Sequence, residues 1–281
     1  MSMPDLTPLL PFGTAWIAKV LLLSVRLGAV FLATPLLAAA SVPVTIRVLL
    51  VLGLAAALAG LAPAVGDAAP HGAAFILDHP GALLQAAATE LVLGATLAVG
   101  IHLAFAAFAV AGRVLDIQIG FGLGQVLDPL SNTQLPILTT LFNQLGVIVF
   151  FLANGHHALM RAIAYSLSSF PVGQPWPIEA GYGPIMKQVG GLLGLSFALM
   201  APVVFCIFMV ELSLGVLARN LPQINMLTIG IQVKIVVGLI ALALWFTGIG
   251  TAMNRVYAAI YQNWTEILAA GQPVPLPGEA R

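Results

Sequence analysis

The chain has 281 residues, 60% of them hydrophobic and only 7% charged, with ten basic and ten acidic side chains. Soluble domains carry about 25% charged residues, so this composition excludes a soluble globular enzyme, and it equally excludes a disordered chain, which is poor in apolar residues. The balanced charge offers no basic stripe to neutralise phosphates, so nucleic acid is not expected as a partner, and the single cysteine, Cys206, cannot close an intrachain disulfide.

The few charges partition what remains. Charge-free windows run 27–46, 48–66, 91–112, 129–160, 188–210 and 235–254. A helix crossing a bilayer needs roughly 20 apolar residues. The fold class predicted is all-α: a polytopic membrane protein of about six long hydrophobic helices in hairpins, near 16–40, 46–65, 82–112, 134–165, 186–219 and 227–264. Strands are not expected, because period-2 alternation is absent and Leu, Ala and Met dominate.

Along the first segment, Leu36 to Ser41 resembles a small-residue cleavage site, but the stretch before it is long and begins with Asp5. Signal peptides open on a short positive region, so this is read as a retained first helix. Arg26 and Glu90 are expected to snorkel toward an interface. The connection 66–81 carries Asp67 and Asp78 with His71 and His79, and no basic residue. It is read as a polar loop rather than a metal site, and the positive-inside rule puts it on the non-cytoplasmic side. Arg161 and Lys187, near the connection 166–187, argue against that orientation.

The middle segment Ile117–Pro129 is apolar but interrupted by Gly120, Gly122 and Gly124, and it ends Asp128-Pro129. Each glycine costs a helix interior about 1 kcal/mol against alanine, yet the segment is too apolar for a loop in water. Irregular apolar backbone at membrane depth is tolerated where protein buries it or where it lines a cavity, which predicts a re-entrant or plugging loop. Asp116 and Asp128 are placed in this one loop rather than on facing helices, so they make no aspartate dyad. The G-x-G-x-x-G spacing fails at its third glycine, and no H-E-x-x-H occurs. No catalytic residue, cofactor or metal is expected.

Beyond it, Asn154-Gly155-His156-His157 gives an apolar helix a polar end. Gly190 and Gly194 form the G-x-x-x-G spacing that draws helices together in lipid, and Pro202 should kink its helix. Glu211 and Lys234 flank the turn Asn220–Asn225 at similar distances, so on an antiparallel hairpin they reach similar depth. Either they pair across the hairpin or each faces water separately; a proton relay, the third reading, needs a chain of titratable groups, and few are present.

Three stretches resemble the FliR/SctT family of type III secretion export-gate subunits, its flagellar branch in particular. They are the glycine-rich segment ending Val126-Leu127-Asp128-Pro129, the stretch Asn154–His157 followed by Ser168–Gly173, and Leu217–Asn225 with Gly230 and Lys234–Gly238. The third is the most specific, with Arg219, Pro222, Gln223 and Asn225 in its turn. Leu221 departs from the small residue that often precedes the Pro-Gln pair. The resemblance covers essentially the whole chain. It implies a non-enzymatic subunit in the bacterial inner membrane at the flagellar basal body, within one export-gate domain over 1–281: N-terminal helices over 1–116, a plug over 117–129 and C-terminal helices over 130–281. Its implied partners are FliP- and FliQ-type subunits in a hetero-oligomer, an FlhB-type protein, membrane lipid and the unfolded export substrates. Ile117, Gly120, Phe121, Gly122, Leu123, Gly124, Val126, Leu127, Asp128 and Pro129 would then form the plug, with Phe121, Leu123, Val126 and Leu127 as its seal. A small-molecule or ion transporter, the rival of another class, predicts inverted repeats, and no convincing repeat is found. An injectisome export-gate subunit is the nearer alternative.

Overall fold

The computed structural model describes residues 13–34, 42–60, 79–121, 136–174, 176–221 and 225–270. Among the described residues the elements are α1 (Thr14–Ala33), α2 (Val44–Ala59), α3 (Pro80–Ile119), α4 (Ile137–Leu152), α5 (Gly155–Ser169), α6 (Glu179–Asn220), α7 (Met226–Phe246) and α8 (Gly250–Ala270), with no strand. An all-helical chain follows from the environment. Without water to satisfy backbone N–H and C=O groups, each apolar segment closes its own hydrogen bonds.

Six spans are not found among the described residues. Among the described residues three helices are long and apolar enough to cross a bilayer: α3, α6 over Gly181–Asn220 and α7 over Thr228–Phe246. The bent pair α4–α5 makes a fourth if it counts as one span. The segment expected over 134–165 breaks at Asn154, which stands in the left-handed region at φ 55. The segment expected over 227–264 breaks after Phe246, where Gly248 N–H returns to the Trp245 carbonyl at 2.9 Å. Local turn chemistry at Asn and Gly thus overrides continuous hydrophobicity.

The chain divides into two compact units. One holds Met1–His102, His156–Met186 and Tyr261–Arg281; the other holds Leu103–Gly155 and Lys187–Ile260. The first unit gathers Leu93, Phe170, Trp176, Ile267 and Leu268 into a buried cluster. Trp264 Nε1 donates to the Leu97 carbonyl at 3.1 Å within that unit. In the second unit Phe105, Phe108, Phe150 and Tyr257 stack in tilted pairs, with Phe108 and Tyr257 centroids 5.9 Å apart. The Tyr257 hydroxyl donates to the Gly146 carbonyl. A hydroxyl buried with a partner avoids the desolvation cost that an unpaired one carries.

Among the described residues, helices of the chain approach closely at glycines outside the G-x-x-x-G pair. Among the described residues no atom lies within 4 Å of a Cβ at Gly190 or Gly194, so no described helix of this chain closes on the G-x-x-x-G pair. Helices approach at backbone level at Gly94, where a Cβ would strike the Arg26 carbonyl oxygen, and at Gly112, where it would lie 2.5 Å from Thr139 Cα. α6 continues through Pro202 rather than ending there. Proline withholds a donor from the carbonyl four residues earlier, that of Ala198. The next carbonyl, Leu199, accepts from Trp245 Nε1 at 2.9 Å.

Candidate functional site

α3 runs through Arg113 and Asp116 to Ile119, so the apolar segment of the sequence begins inside a helix. Its irregular part starts at Gly120, whose φ of 108 ends the helix in a conformation that costs other residues strain. Gly120 N–H closes the last turn on the Asp116 carbonyl at 3.3 Å. Ile117 is 61% exposed, Phe121 is partly buried, and Ile119 is fully buried. Gly122, Leu123, Gly124, Val126, Leu127, Asp128 and Pro129 lie outside the described residues, as do Pro222 and Gln223.

Asp116 is therefore a helical residue and not a loop residue. Its carboxylate is 1% exposed and reaches the N-terminus of α4. Oδ1 accepts from Leu138 N–H at 2.9 Å; Oδ2 accepts from Thr139 N–H at 2.9 Å and from Thr139 Oγ1 at 2.7 Å. The first N–H groups of a helix have no intrahelical acceptor and carry partial positive charge. A carboxylate there satisfies two of them by charge-assisted bonds. No local pattern announces this cap, because donor and acceptor stand 22 residues apart.

The α6–α7 hairpin places Glu211 and Lys234 together: Lys234 Nζ donates to Glu211 Oε1. Of the two arrangements left open by the sequence, the structure adopts the pair. Asn225 is the N-cap of α7, and its Oδ1 accepts from Thr228 N–H at 3.4 Å. Arg219 occupies the last turn of α6 and Glu179 the first, each the favourable sign for that end of the helix dipole. A half-open groove of about 210 Å³ runs along α6, lined by Gln118, Phe197, Val204, Phe205, Phe208 and Glu211 among others.

In the other unit, Arg26 and Glu90 do not snorkel. Each is 1% exposed, and they form a forked ion pair: Arg26 Nε donates to Glu90 Oε2 at 2.5 Å and Nη2 to Oε1 at 3.1 Å. Arg26 also donates to Ser166 Oγ at 3.2 Å and to the Phe170 carbonyl at 3.0 Å, while Gly173 N–H donates to Glu90 Oε1 at 2.9 Å. The guanidinium fork fits a carboxylate in two places, which a flexible lysine cannot match. The sequence signal that existed was simply two ionisable residues of opposite sign in a chain that has few. His156 and His157 sit in the first turn of α5 with their rings 4.2 Å apart, edge to face.

The family model described as "Bacterial export proteins, family 1" matches residues 17–260. The flagellar biosynthetic protein FliR of Bacillus subtilis is 29% identical over 255 residues, covering 89% of this chain and 94% of that protein. FliR of Escherichia coli is 25% identical over 187 residues, covering 66% of this chain and 71% of that protein. The Yop proteins translocation protein T of Yersinia pestis is 25% identical over 158 residues, covering 56% and 61%. With long apolar helices and a family match across most of its length, the chain belongs to the bacterial export proteins, family 1, the FliR/SctT family of multi-pass inner-membrane type III export-gate subunits.

Proposed function

We propose that this chain is the FliR-type subunit of the flagellar export gate, forming with FliP- and FliQ-type subunits a closed channel for unfolded substrates. An FlhB-type protein docks beside it, and the chain catalyses no reaction of its own. The family match over 17–260 carries the reading. The flagellar branch is favoured because the Bacillus subtilis FliR alignment spans 89% of the chain, against 56% for the Yersinia pestis relative. The surface supports an assembly: Leu193, Phe197, Phe205, Phe208, Leu212 and Val216 along α6, with Val236, Ile240 and Leu244 along α7, are all exposed large apolar side chains. Apolar faces of this extent are covered by lipid or by neighbours. Expressed alone, the subunit is expected to aggregate in mild detergent. Co-expressed with FliP- and FliQ-type subunits, it is expected to elute as one complex. A monodisperse subunit that ignores those partners overturns the reading.

The plug belongs to the same proposal. Within the single export-gate domain, residues 117–129 form the pore seal, with Phe121, Leu123, Val126 and Leu127 as its apolar barrier and glycines that ease its displacement by substrate. Replacing Phe121 and Leu123 with serine is expected to leave complex yield unchanged and to make membranes holding the complex leak ions. Lost complex without leak would mark the segment as a buried connector.

A further inference from the structure

Two fastenings meet at the end of α3, both within one unit of the protein. The first is the Asp116 carboxylate, buried and bonded three times to the start of α4. The second is a notch in α7. A Cβ on Gly238 would lie 2.7 Å from Ile119 Cγ1, 3.0 Å from Cδ1 and 3.1 Å from Cγ2, so the fully buried Ile119 side chain fills the space that glycine leaves. Gly112 adds a backbone-level contact between α3 and Thr139 of α4. Helix ends ordinarily fray. This one is bonded on one side, wedged on the other, and stopped at once by the left-handed Gly120.

We propose that Asp116 and the Ile119–Gly238 notch are positioning residues for Phe121: they fix where α3 ends, and so where the proposed seal begins. Resting on the sealing role given above to Phe121, the proposal adds its mechanical ground. A barrier side chain excludes water only while it stays in the constriction. Phe121 stands two residues beyond Ile119 and one beyond the backbone stop, so slack at Asp116 or at Ile119 is passed to it directly. The three bonds to Asp116 do this better than apolar packing, because N–H groups at a helix end are directional donors and a carboxylate satisfies them in one geometry.

The test uses the complete complex, with FliP- and FliQ-type partners, reconstituted in vesicles loaded with a small fluorescent dye. Asp116→Ala is expected to leave complex yield unchanged and to raise dye leak about tenfold, the ratio that loss of a charge-assisted hydrogen bond confers on an equilibrium. Asp116→Asn, which keeps one carbonyl acceptor, is expected to leak less. Phe121→Ser, run beside them, reports on the seal itself. If Phe121→Ser leaks and Asp116→Ala forms a tight, intact complex, the positioning role is wrong and the seal stands. If neither leaks, the sealing role has failed and the positioning role fails with it. Should Asp116→Ala abolish the complex, Gly238→Ala decides. It is expected to leak at normal yield, and Ile119→Ala in the same chain should restore tightness by removing the colliding atoms. Gly238→Ala that is tight, or that also loses the complex, overturns the proposal.

Discussion

Two ion pairs, Arg26–Glu90 and Glu211–Lys234, show how differently the same chemistry serves two regions. Arg26–Glu90 is sealed from solvent, with two bonds between the charges, further bonds from Arg26 to Ser166 Oγ and the Phe170 carbonyl, and one from Gly173 N–H to Glu90. Glu211–Lys234 has one contact, with side chains 40% and 27% exposed. The first joins residues 64 positions apart and the second joins residues 23 apart, across one hairpin. Burying two charges costs several kcal/mol per ion even when they pair, so a buried pair by itself does not prove stability. It does create a liability: removing either partner strands the other. An exposed pair carries no such liability, because water or a neighbour takes the place of the missing group. The pair in the first unit is therefore a lock, and the pair in the second is an adjustable contact.

The largest effect is expected where the lock is broken from one side. Glu90→Gln leaves the Arg26 guanidinium buried and uncompensated, at a cost of about 3–5 kcal/mol. Protease resistance of the subunit in native membranes should fall accordingly. Arg26→Met combined with Glu90→Leu removes both charges and should recover most of that resistance, because apolar replacement of an intact pair is often neutral. Gly94 sharpens the point: its missing Cβ lets α3 meet the backbone of α1 at Arg26 itself, so the pair is set beside a close approach of the two helices. Glu90→Gln with unaltered protease resistance would erase the contrast between the two pairs.

What the sequence revealed, and what it withheld, follows from the range of each interaction. The all-helical class was legible because apolar composition and sparse charge act on every residue. The hairpin turn was legible too, since Glu211 and Lys234 stand at similar distances from Asn220–Asn225. The hydrophobic segments over 134–165 and 227–264 misled, because hydropathy has no term for a left-handed Asn154 or a closing turn at Gly248. Arg26 with Glu90, Asp116 with Leu138 and Thr139, and Ile119 with Gly238 were all hidden for one reason: each joins helices that only the folded chain brings together. Gly190 and Gly194 meet no described residue of this chain, since their motif describes a capacity for close packing and does not say which helix uses it.

The smallest effect is expected at Glu211 and Lys234. Exposed pairs contribute about 0.2–1 kcal/mol and are weakened by salt, so Glu211→Gln and Lys234→Gln should leave protease resistance of the subunit nearly unchanged. Assembly is a different matter. The pair sits on the hairpin whose apolar faces are open, with Glu211 at the edge of the groove that Phe197, Phe205 and Phe208 line. When a neighbour or lipid covers that face, an unmatched charge becomes buried, and its cost rises toward that of the Arg26 pair. Glu211→Gln should thus lower the yield of the co-expressed complex by leaving Lys234 unmatched. Exchanging the two residues, Glu211→Lys with Lys234→Glu, should restore part of it. Unequal tolerance is the signature to look for, with subunit stability flat and complex yield sensitive. If both single neutral variants assemble as well as the parent chain, the pair plays no part in assembly, and the second region has no counterpart to the lock in the first.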